Sequence, residues 1–264
     1  ERPSPGSSTL TTCLMENYPK WLEEGFEPFD PLELAKATEE ICCHGDSRKY
    51  TAFYCTGVYR GISTGYLVGC CLRCVFCWVD VSRELPDLHG EFYSAQEVFN
   101  QLITNASDSG VNKLRVSGGE PTLGREHLLA LLRLADSSSY LFVLETNGIL
   151  FGADRAYLEK LRDFEHVHVR VSLKAGTPEG FERRTGAKGE FHHLPYKAIE
   201  YLQHAGMSFH VAAMTDSRLM PQAERQEMLR KLKEIGYDDY FEEEAADPYE
   251  TSILRLEKAG LKIF

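Results

Sequence analysis

The sequence predicts an α/β protein whose main domain is a partial (β/α)6 TIM-like barrel with an added N-terminal layer. The chain has 264 residues, a length that one α/β barrel domain commonly fills. From about residue 64 onward, short apolar β-rich runs alternate with helical patterns. Six such strand-and-helix units can be recognised, and this number favours an open, partial barrel over a complete eightfold one.

The predicted strands and helices follow one another in regular order. Strands are predicted at residues 64–69, 113–117, 141–146, 167–172, 209–214 and, from a weaker pattern, 237–241. Helices are predicted near residues 94–104, 125–135, 155–164, 196–205 and 221–235. Ser94 and Glu97 have the spacing of a capping box, and Gly206 and Gly236 follow two other helices as C-terminal stops. This alternation is typical of a parallel sheet covered by helices.

Residues 1–63 stand apart from this pattern. We predict that they form an N-terminal extension packed on the barrel domain, which comprises residues 64–264. Within the extension, Asp30 followed by Pro31 predicts the start of a helix that runs to about Ile41.

Composition and charge exclude several classes of protein. Hydrophobic residues make up 43% and charged residues 26% of the chain, as is usual for a globular domain. The formal net charge of −11 argues against a nucleic-acid partner. No segment approaches the roughly 18–20 apolar residues of a membrane span, and the first residues lack the apolar core of a signal peptide. We therefore expect no membrane partner and a cytoplasmic location.

The cysteines are the main chemical signal. Cys70, Cys74 and Cys77 follow the first predicted strand with the spacing C-x3-C-x2-C, so their thiolates can face one point from a short loop. Soft thiolate ligands select iron–sulfur clusters, zinc or copper(I). Structural zinc takes four protein ligands, whereas a [4Fe–4S] cluster with three protein ligands keeps one iron open for a substrate. Buried cysteines and a zinc site with a distant fourth ligand remain the alternatives. Cys71 lies one residue off the pattern and is not predicted to be a ligand. A second cluster on Cys42, Cys43 and Cys55, together with Cys13, is a further alternative, although packing is favoured for these cysteines.

The cysteine spacing, with the aromatic Phe76 before the last cysteine, resembles the signature of the radical SAM superfamily. The second predicted strand ends in Gly118, Gly119 and Glu120, which resemble the family's GGE motif. The resemblance implies that the backbone and carboxylate of this motif hold the amino group of S-adenosylmethionine. Phe76 would border the adenine, although core packing is an equal alternative for this ring.

Two further segments resemble the activating enzymes of glycyl radical proteins, such as pyruvate formate-lyase, and related uncharacterised archaeal proteins. Glu145 and Asn147 belong to an ETNG segment, and Lys174 lies in an SLK segment. The resemblance implies that Glu145, Asn147 and Lys174 border S-adenosylmethionine, with Lys174 near its carboxylate. Ser172 stands where the activating enzymes carry an acidic residue, and this departure puts their cation site and substrate in doubt.

The resemblance implies an enzyme that reductively cleaves S-adenosylmethionine at a [4Fe–4S] cluster and abstracts hydrogen through a 5′-deoxyadenosyl radical. An electron donor such as a flavodoxin or ferredoxin is the implied partner. The activating-enzyme resemblance favours a protein substrate over a small molecule. The alternatives are a small-molecule enzyme of the carboxy-deazaguanine synthase kind and a non-catalytic zinc or iron–sulfur binding module. Arg48, Lys49 and Arg60 form the basic group nearest the cysteines and are a candidate surface for an acidic donor.

Overall fold

The fold is described from a computed structural model, which describes residues 18–19 and 26–264. Within these residues the strands form a nine-stranded sheet. Six neighbouring strands in it are parallel: β3 (Ile62–Leu67), β5 (Lys113–Ser117), β6 (Leu141–Thr146), β7 (Val167–Leu173), β8 (Phe209–Met214) and β9 (Phe241–Glu244). In the described part of the chain β9 does not pair with β3, so the barrel stays open on one side. The prediction of a partial six-stranded barrel is confirmed.

Most helices connect the parallel strands, while the first described helix precedes them and the last follows them. They are α1 (Pro31–Cys42), α2 (Ala95–Asp108), α3 (Arg125–Asp136), α4 (Ile149–Ala153), α5 (Arg155–Glu159), α6 (Pro178–Thr185), α7 (Leu194–Ala205), α8 (Gln222–Glu234) and α9 (Glu250–Lys258). Short 3-10 turns occupy Val58–Arg60, Val81–Arg83 and Gly189–His193. The capping box of Ser94 and Glu97 is present at the start of α2, and Asp30 caps α1 as predicted.

An antiparallel hairpin extends the sheet beyond the barrel. β2 (Ser47–Thr56) pairs with β3 on one side and with β1 (Cys43–His44) and β4 (Glu91–Ser94), all antiparallel. From the N-terminal region, strands β1 and β2 are therefore added to the edge of the barrel sheet.

The two faces of the parallel sheet differ in chemistry. The outer face packs against the helices through a large core that includes Val116, Leu144, Val169 and Val211, all nearly inaccessible. The alternate positions, which point into the barrel, carry Arg115, Glu145, Arg170 and other polar side chains. A polar barrel interior is unusual for a region this buried, and it marks the space where a polar ligand can bind.

Two predicted elements differ from the structure. The last strand lies at Phe241–Glu244 instead of 237–241, because Gly236 and Tyr237 still belong to the turn after α8. The helix predicted at 155–164 is α5, which ends at Glu159. It is preceded by α4, and the side chain of Asp154, which lies between the two helices, caps α5. No helix among the described residues is long and apolar enough to cross a membrane.

Candidate active site

The three cysteines of the C-x3-C-x2-C pattern lie on one loop at the carboxyl end of β3, which we call the cysteine loop (residues 68–80). Gly69 has a φ of +85°, which turns the chain sharply after the strand. Cys74 is 7% exposed, while Cys70 and Cys77 are partly exposed. This is the end of the barrel at which parallel α/β barrels place their chemistry.

Backbone hydrogen bonds to the end of α6 hold the cysteine loop. The Arg73 amide donates to the Thr185 carbonyl at 2.8 Å, and the Val75 amide donates to the Arg184 carbonyl at 2.9 Å. Arg184 is itself fully buried, and its guanidinium donates to the Lys174 carbonyl at 3.0 Å. The loop is therefore fixed to α6 and, through Arg184, to the SLK segment.

The thiols of the loop differ in their electrostatic surroundings. A hydrogen bond from the neighbouring Cys71 thiol lowers the pKa of Cys70 to about 7. Burial raises the pKa of Cys74 to about 12, against the opposing charge of Lys174. The described residues include no group of three or more His, Cys, Asp or Glu side chains arranged around a single metal ion. A cubane binds each cysteine to a different iron and so needs no such close convergence.

Gly118 and Gly119 form a tight turn directly beside the cysteine loop. Gly118 has a φ of +87°, a region that favours glycine. A Cβ on Gly119 would lie 2.3 Å from the Gly69 carbonyl oxygen, and the next amide, that of Glu120, donates to the same oxygen at 2.9 Å. The two glycines are thus required for the close contact between this turn and the cysteine loop.

The Glu120 carboxylate joins two loops and is 3% exposed. One oxygen accepts hydrogen bonds from the Thr122 amide at 3.1 Å and from the hydroxyls of Thr122 and Thr146, both at 2.6 Å. The other oxygen accepts from the Asn147 amide at 2.9 Å. A carboxylate can accept about four hydrogen bonds, and here all four come from groups of this chain.

Asn147 connects the Glu120 carboxylate to the cysteines. Its side-chain amide lies 3.3 Å from the Cys71 sulfur and 3.9 Å from the Cys70 sulfur. Its side-chain oxygen accepts from the Ile149 amide at 3.0 Å, which fixes the side chain. The residue is 6% exposed.

Glu145 points into the barrel and is part of an ion-pair network. Arg115 donates to both carboxylate oxygens, at 3.0 and 3.1 Å, and the Tyr59 hydroxyl donates to one of them at 2.6 Å. Burial and the charge of Glu145 raise the pKa of Tyr59, so this phenol stays protonated. Tyr59 has a left-handed backbone with φ of +52°.

Lys174 and Phe76 lie together at the top of the barrel. The Lys174 ammonium donates to the Ser172 hydroxyl at 2.6 Å and lies 6.0 Å from the centre of the Phe76 ring. Ser172 donates in turn to Glu244 at 3.2 Å. Phe76 lies on the cysteine loop itself. Other residues predicted to border a cofactor lie beside this loop: Gly118, Gly119, Glu120, Asn147 and Lys174.

Several barrel residues were not found from the sequence. Arg170 pairs with Glu242 at 2.8 Å and with Glu244 at 2.7 Å. These contacts place two glutamates of the acidic run at residues 238–244 inside the barrel. The sequence does contain a signal for a polar interior. Arg115 and Arg170 are charged residues in the middle of predicted buried strands, and such residues indicate that one face of the strand is polar.

Other sequence candidates do not join the site. Arg48 is fully buried and donates to the carbonyls of Val68 and Glu120, while Lys49 is 8% exposed and donates to the Pro86 carbonyl. These two therefore do not form a basic surface for a donor. Cys42 is fully buried, the Cys55 thiol donates to the Asn105 carbonyl at 3.2 Å, and Cys13 lies outside the described residues.

The comparisons decide the family. The model of the radical SAM superfamily matches residues 66–232, well over half of the chain, and includes all three cysteines of the pattern. The chain belongs to the radical SAM superfamily. It is accordingly an enzyme of a family that uses a [4Fe–4S] cluster and S-adenosylmethionine.

Curated relatives match about half of this chain. The probable GTP 3′,8-cyclase of Methanococcus maripaludis (strain C5) is 32% identical over 116 residues, 44% of this chain and 37% of that protein. The GTP 3′,8-cyclase of Desulforamulus reducens is 36% identical over 140 residues, 51% of this chain and 41% of that protein. The chain thus spans about two fifths of the length of these relatives.

Solved structures share the fold. SuiB of Streptococcus suis bound to S-adenosylmethionine has a TM-score of 0.52 and 18% identity, over 70% of this chain and 42% of that one. TYW1 with a lysine-pyruvate adduct has a TM-score of 0.53 and 16% identity, over 75% of this chain and 73% of that one.

The residues present fit the cofactors of this radical SAM enzyme. Three thiols on one loop provide the soft donors that an iron–sulfur cluster requires. Of these three thiols, the one that the Asn147 side-chain amide reaches is Cys70, at 3.9 Å, and hydrogen bonds to ligand sulfurs are typical of the residues around a metal site. The lysine ammonium above Phe76 supplies a cation for a carboxylate.

Proposed function

We propose that Cys70, Cys74 and Cys77 hold a [4Fe–4S] cluster whose fourth iron binds S-adenosylmethionine. The observation that carries this proposal is the placement of all three on the loop after β3, against the Gly118–Gly119 turn and Asn147. When bound, these cofactors supply reductive cleavage of S-adenosylmethionine and, through it, hydrogen abstraction from a substrate.

The surrounding residues have separate roles in this proposal. Lys174 pairs with the carboxylate of S-adenosylmethionine, and Phe76 packs beside its adenosine. Backbone groups of Gly118 and Gly119 face its amino end. Glu120 acts as a positioning residue, because its carboxylate is occupied by Thr122, Thr146 and Asn147. Glu145, held by Arg115, faces the interior where the ribose side of the cofactor and the substrate meet.

We infer a small polar substrate in place of the protein substrate that the activating-enzyme resemblance favoured. The barrel interior carries the paired charges of Arg115, Glu145, Arg170, Glu242 and Glu244, which can exchange partners with a charged or strongly polar ligand. The relatives named GTP 3′,8-cyclase support a small molecule of this kind, because their names specify GTP.

The proposal also divides the chain into a catalytic domain and an N-terminal extension. Residues 64–264 form the catalytic domain, and residues 1–63 form an extension whose helix α1 packs behind the cysteine loop through Leu34, Ile41 and Val68. The required reductant is a flavodoxin or ferredoxin. Reduction by such a protein can be compared with reduction by dithionite in the assay below.

The test is formation of 5′-deoxyadenosine. The protein is reconstituted anaerobically with iron and sulfide, its metal content is measured, and S-adenosylmethionine and dithionite are added. We expect the wild type to form 5′-deoxyadenosine and Cys74→Ala to form none. Cys55→Ala changes a cysteine on β2, away from the cysteine loop, and serves as the control that is expected to form product. A fully loaded wild-type protein that neither binds S-adenosylmethionine nor forms product would contradict the proposal.

A further inference from the structure

Each cysteine of the pattern has its backbone carbonyl held by a different arginine. Arg73 donates to the Cys70 carbonyl at 2.8 Å. Arg83 donates to the Cys74 carbonyl at 2.9 Å, and Arg255 donates to the Cys77 carbonyl at 2.7 Å. Arg73 belongs to the cysteine loop itself, Arg83 lies in the 3-10 turn that follows the loop, and Arg255 lies in α9.

Two of these arginines share one buried carboxylate. Glu84 is 1% exposed, and it pairs with Arg83, whose side chain is 2% exposed, and with Arg255, whose side chain is 3% exposed. The distance from Arg255 to Glu84 is 2.8 Å. Two guanidinium groups and one carboxylate leave this triad with one net positive charge beside the cysteine loop.

Arg255 ties the loop to the last helix. From α9 it also donates to the carbonyls of Val79 and Asp80, the latter at 3.0 Å. The Thr251 hydroxyl of the same helix donates to the Trp78 carbonyl at 2.8 Å. The helix therefore holds four consecutive carbonyls, those of residues 77–80, which immediately follow the last cysteine.

We propose that Arg83, Glu84 and Arg255 form a positioning unit that fixes the cysteine loop and raises the reduction potential of the iron–sulfur cluster. This inference rests on the proposed function, because it assumes that Cys70, Cys74 and Cys77 hold that cluster. The unit touches the ligands through their backbone and acts on the cluster through its charge.

The physical basis is the charge balance of the cluster. Reduction adds an electron to a centre that already carries three thiolates, so a nearby positive charge favours the reduced form. Burial keeps water and salt from screening this effect. Removing the Arg255 charge makes the triad neutral, whereas removing the Glu84 charge makes it doubly positive. The two changes must shift the reduction potential in opposite directions.

The experiment is an anaerobic redox titration of the reconstituted protein, followed by the EPR signal of the reduced cluster. Arg255→Gln is expected to lower the ratio of reduced to oxidised cluster about tenfold at a fixed potential, a shift of about 59 mV for one electron. Glu84→Gln is expected to raise this ratio by a similar factor. Arg255→Lys, which retains the charge, is expected to remain within about threefold of the wild type. Arg230→Gln, on the exposed face of α8, is the control and is expected to leave the ratio unchanged.

The sign of the shifts separates tuning from simple support of the loop. Variants with wild-type iron content that show no shift, or that shift in the same direction, overturn the inference. If Arg255→Gln cannot hold iron, Glu84→Gln decides alone: a higher potential supports the tuning role, and an unchanged or lower one overturns it. If the wild type itself assembles no [4Fe–4S] cluster, the proposed function fails instead.

Discussion

The buried Glu120 carboxylate connects the glycine turn to the loop after β6 through four hydrogen bonds, and its contribution to stability can be measured. In Glu120→Gln the amide oxygen can retain the three donors that meet one carboxylate oxygen, from Thr122 and Thr146. The new NH2 group then faces the Asn147 amide, which is also a donor, so this one hydrogen bond is lost. An unsatisfied buried donor costs about 1–3 kcal/mol.

We therefore expect Glu120→Gln to lower the free energy of unfolding by about 2 kcal/mol. Glu120→Ala removes all four hydrogen bonds and is expected to cost about twice as much or more. Urea unfolding followed by circular dichroism, with matched iron content, measures both values. Glu165→Gln, an exposed change, is the control. A urea midpoint for Glu120→Gln equal to that of the control would refute the assignment of Glu120 as a buried hub.

Three further predictions follow from the described contacts. Gly119→Ala places a methyl group 2.3 Å from the Gly69 carbonyl oxygen, and we expect it to lower the free energy of unfolding by about 1–3 kcal/mol and to reduce iron uptake. A methyl group at Gly57 meets nothing within 4 Å, so Gly57→Ala should change neither quantity. Thermal unfolding and iron analysis compare the two variants. Hydrogen bonds from Arg218 lower the pKa of Asp216 to about 2, so this carboxylate stabilises the fold above its unfolded pKa, near 4, and loses that contribution as the pH falls towards 2. Because Arg218 is partly exposed, Asp216→Asn should lower the Tm at pH 7 by only about 2–4 °C, and equal losses at pH 7 and pH 2 would contradict this account. Lys174→Gln should retain the iron but weaken binding of S-adenosylmethionine about tenfold, as measured by equilibrium dialysis; unchanged affinity would remove Lys174 from the site.

The parts of the site that are local in sequence could be predicted from it. The spacing of Cys70, Cys74 and Cys77 and the glycine pair before Glu120 are short patterns, and the strands that carry them have clear apolar periodicity. The boundaries of β5, β6 and β8 coincide with the prediction for the same reason.

The missed parts depend on contacts between distant residues. The strand at residues 241–244 is rich in glutamate, and an acidic run by itself indicates an exposed surface. It becomes a barrel strand because Arg170, more than seventy residues earlier, pairs with Glu242 and Glu244. Likewise, nothing near Arg255 in the sequence indicates Cys77, which lies 178 residues away. Only the folded chain reveals such partners.

The contact between α9 and the cysteine loop also has a consequence for biosynthesis. Cys77 leaves the ribosome long before the residue that holds its carbonyl, since 178 positions separate it from Arg255. At typical rates of about 5–20 residues per second, translation needs roughly 9–36 s to cover that distance. During this interval the three thiols are already synthesised, but their final support is missing. Delivery of iron and sulfide to a fully formed loop therefore has to follow synthesis of α9, and a nascent chain stalled before α9 should retain the cluster poorly.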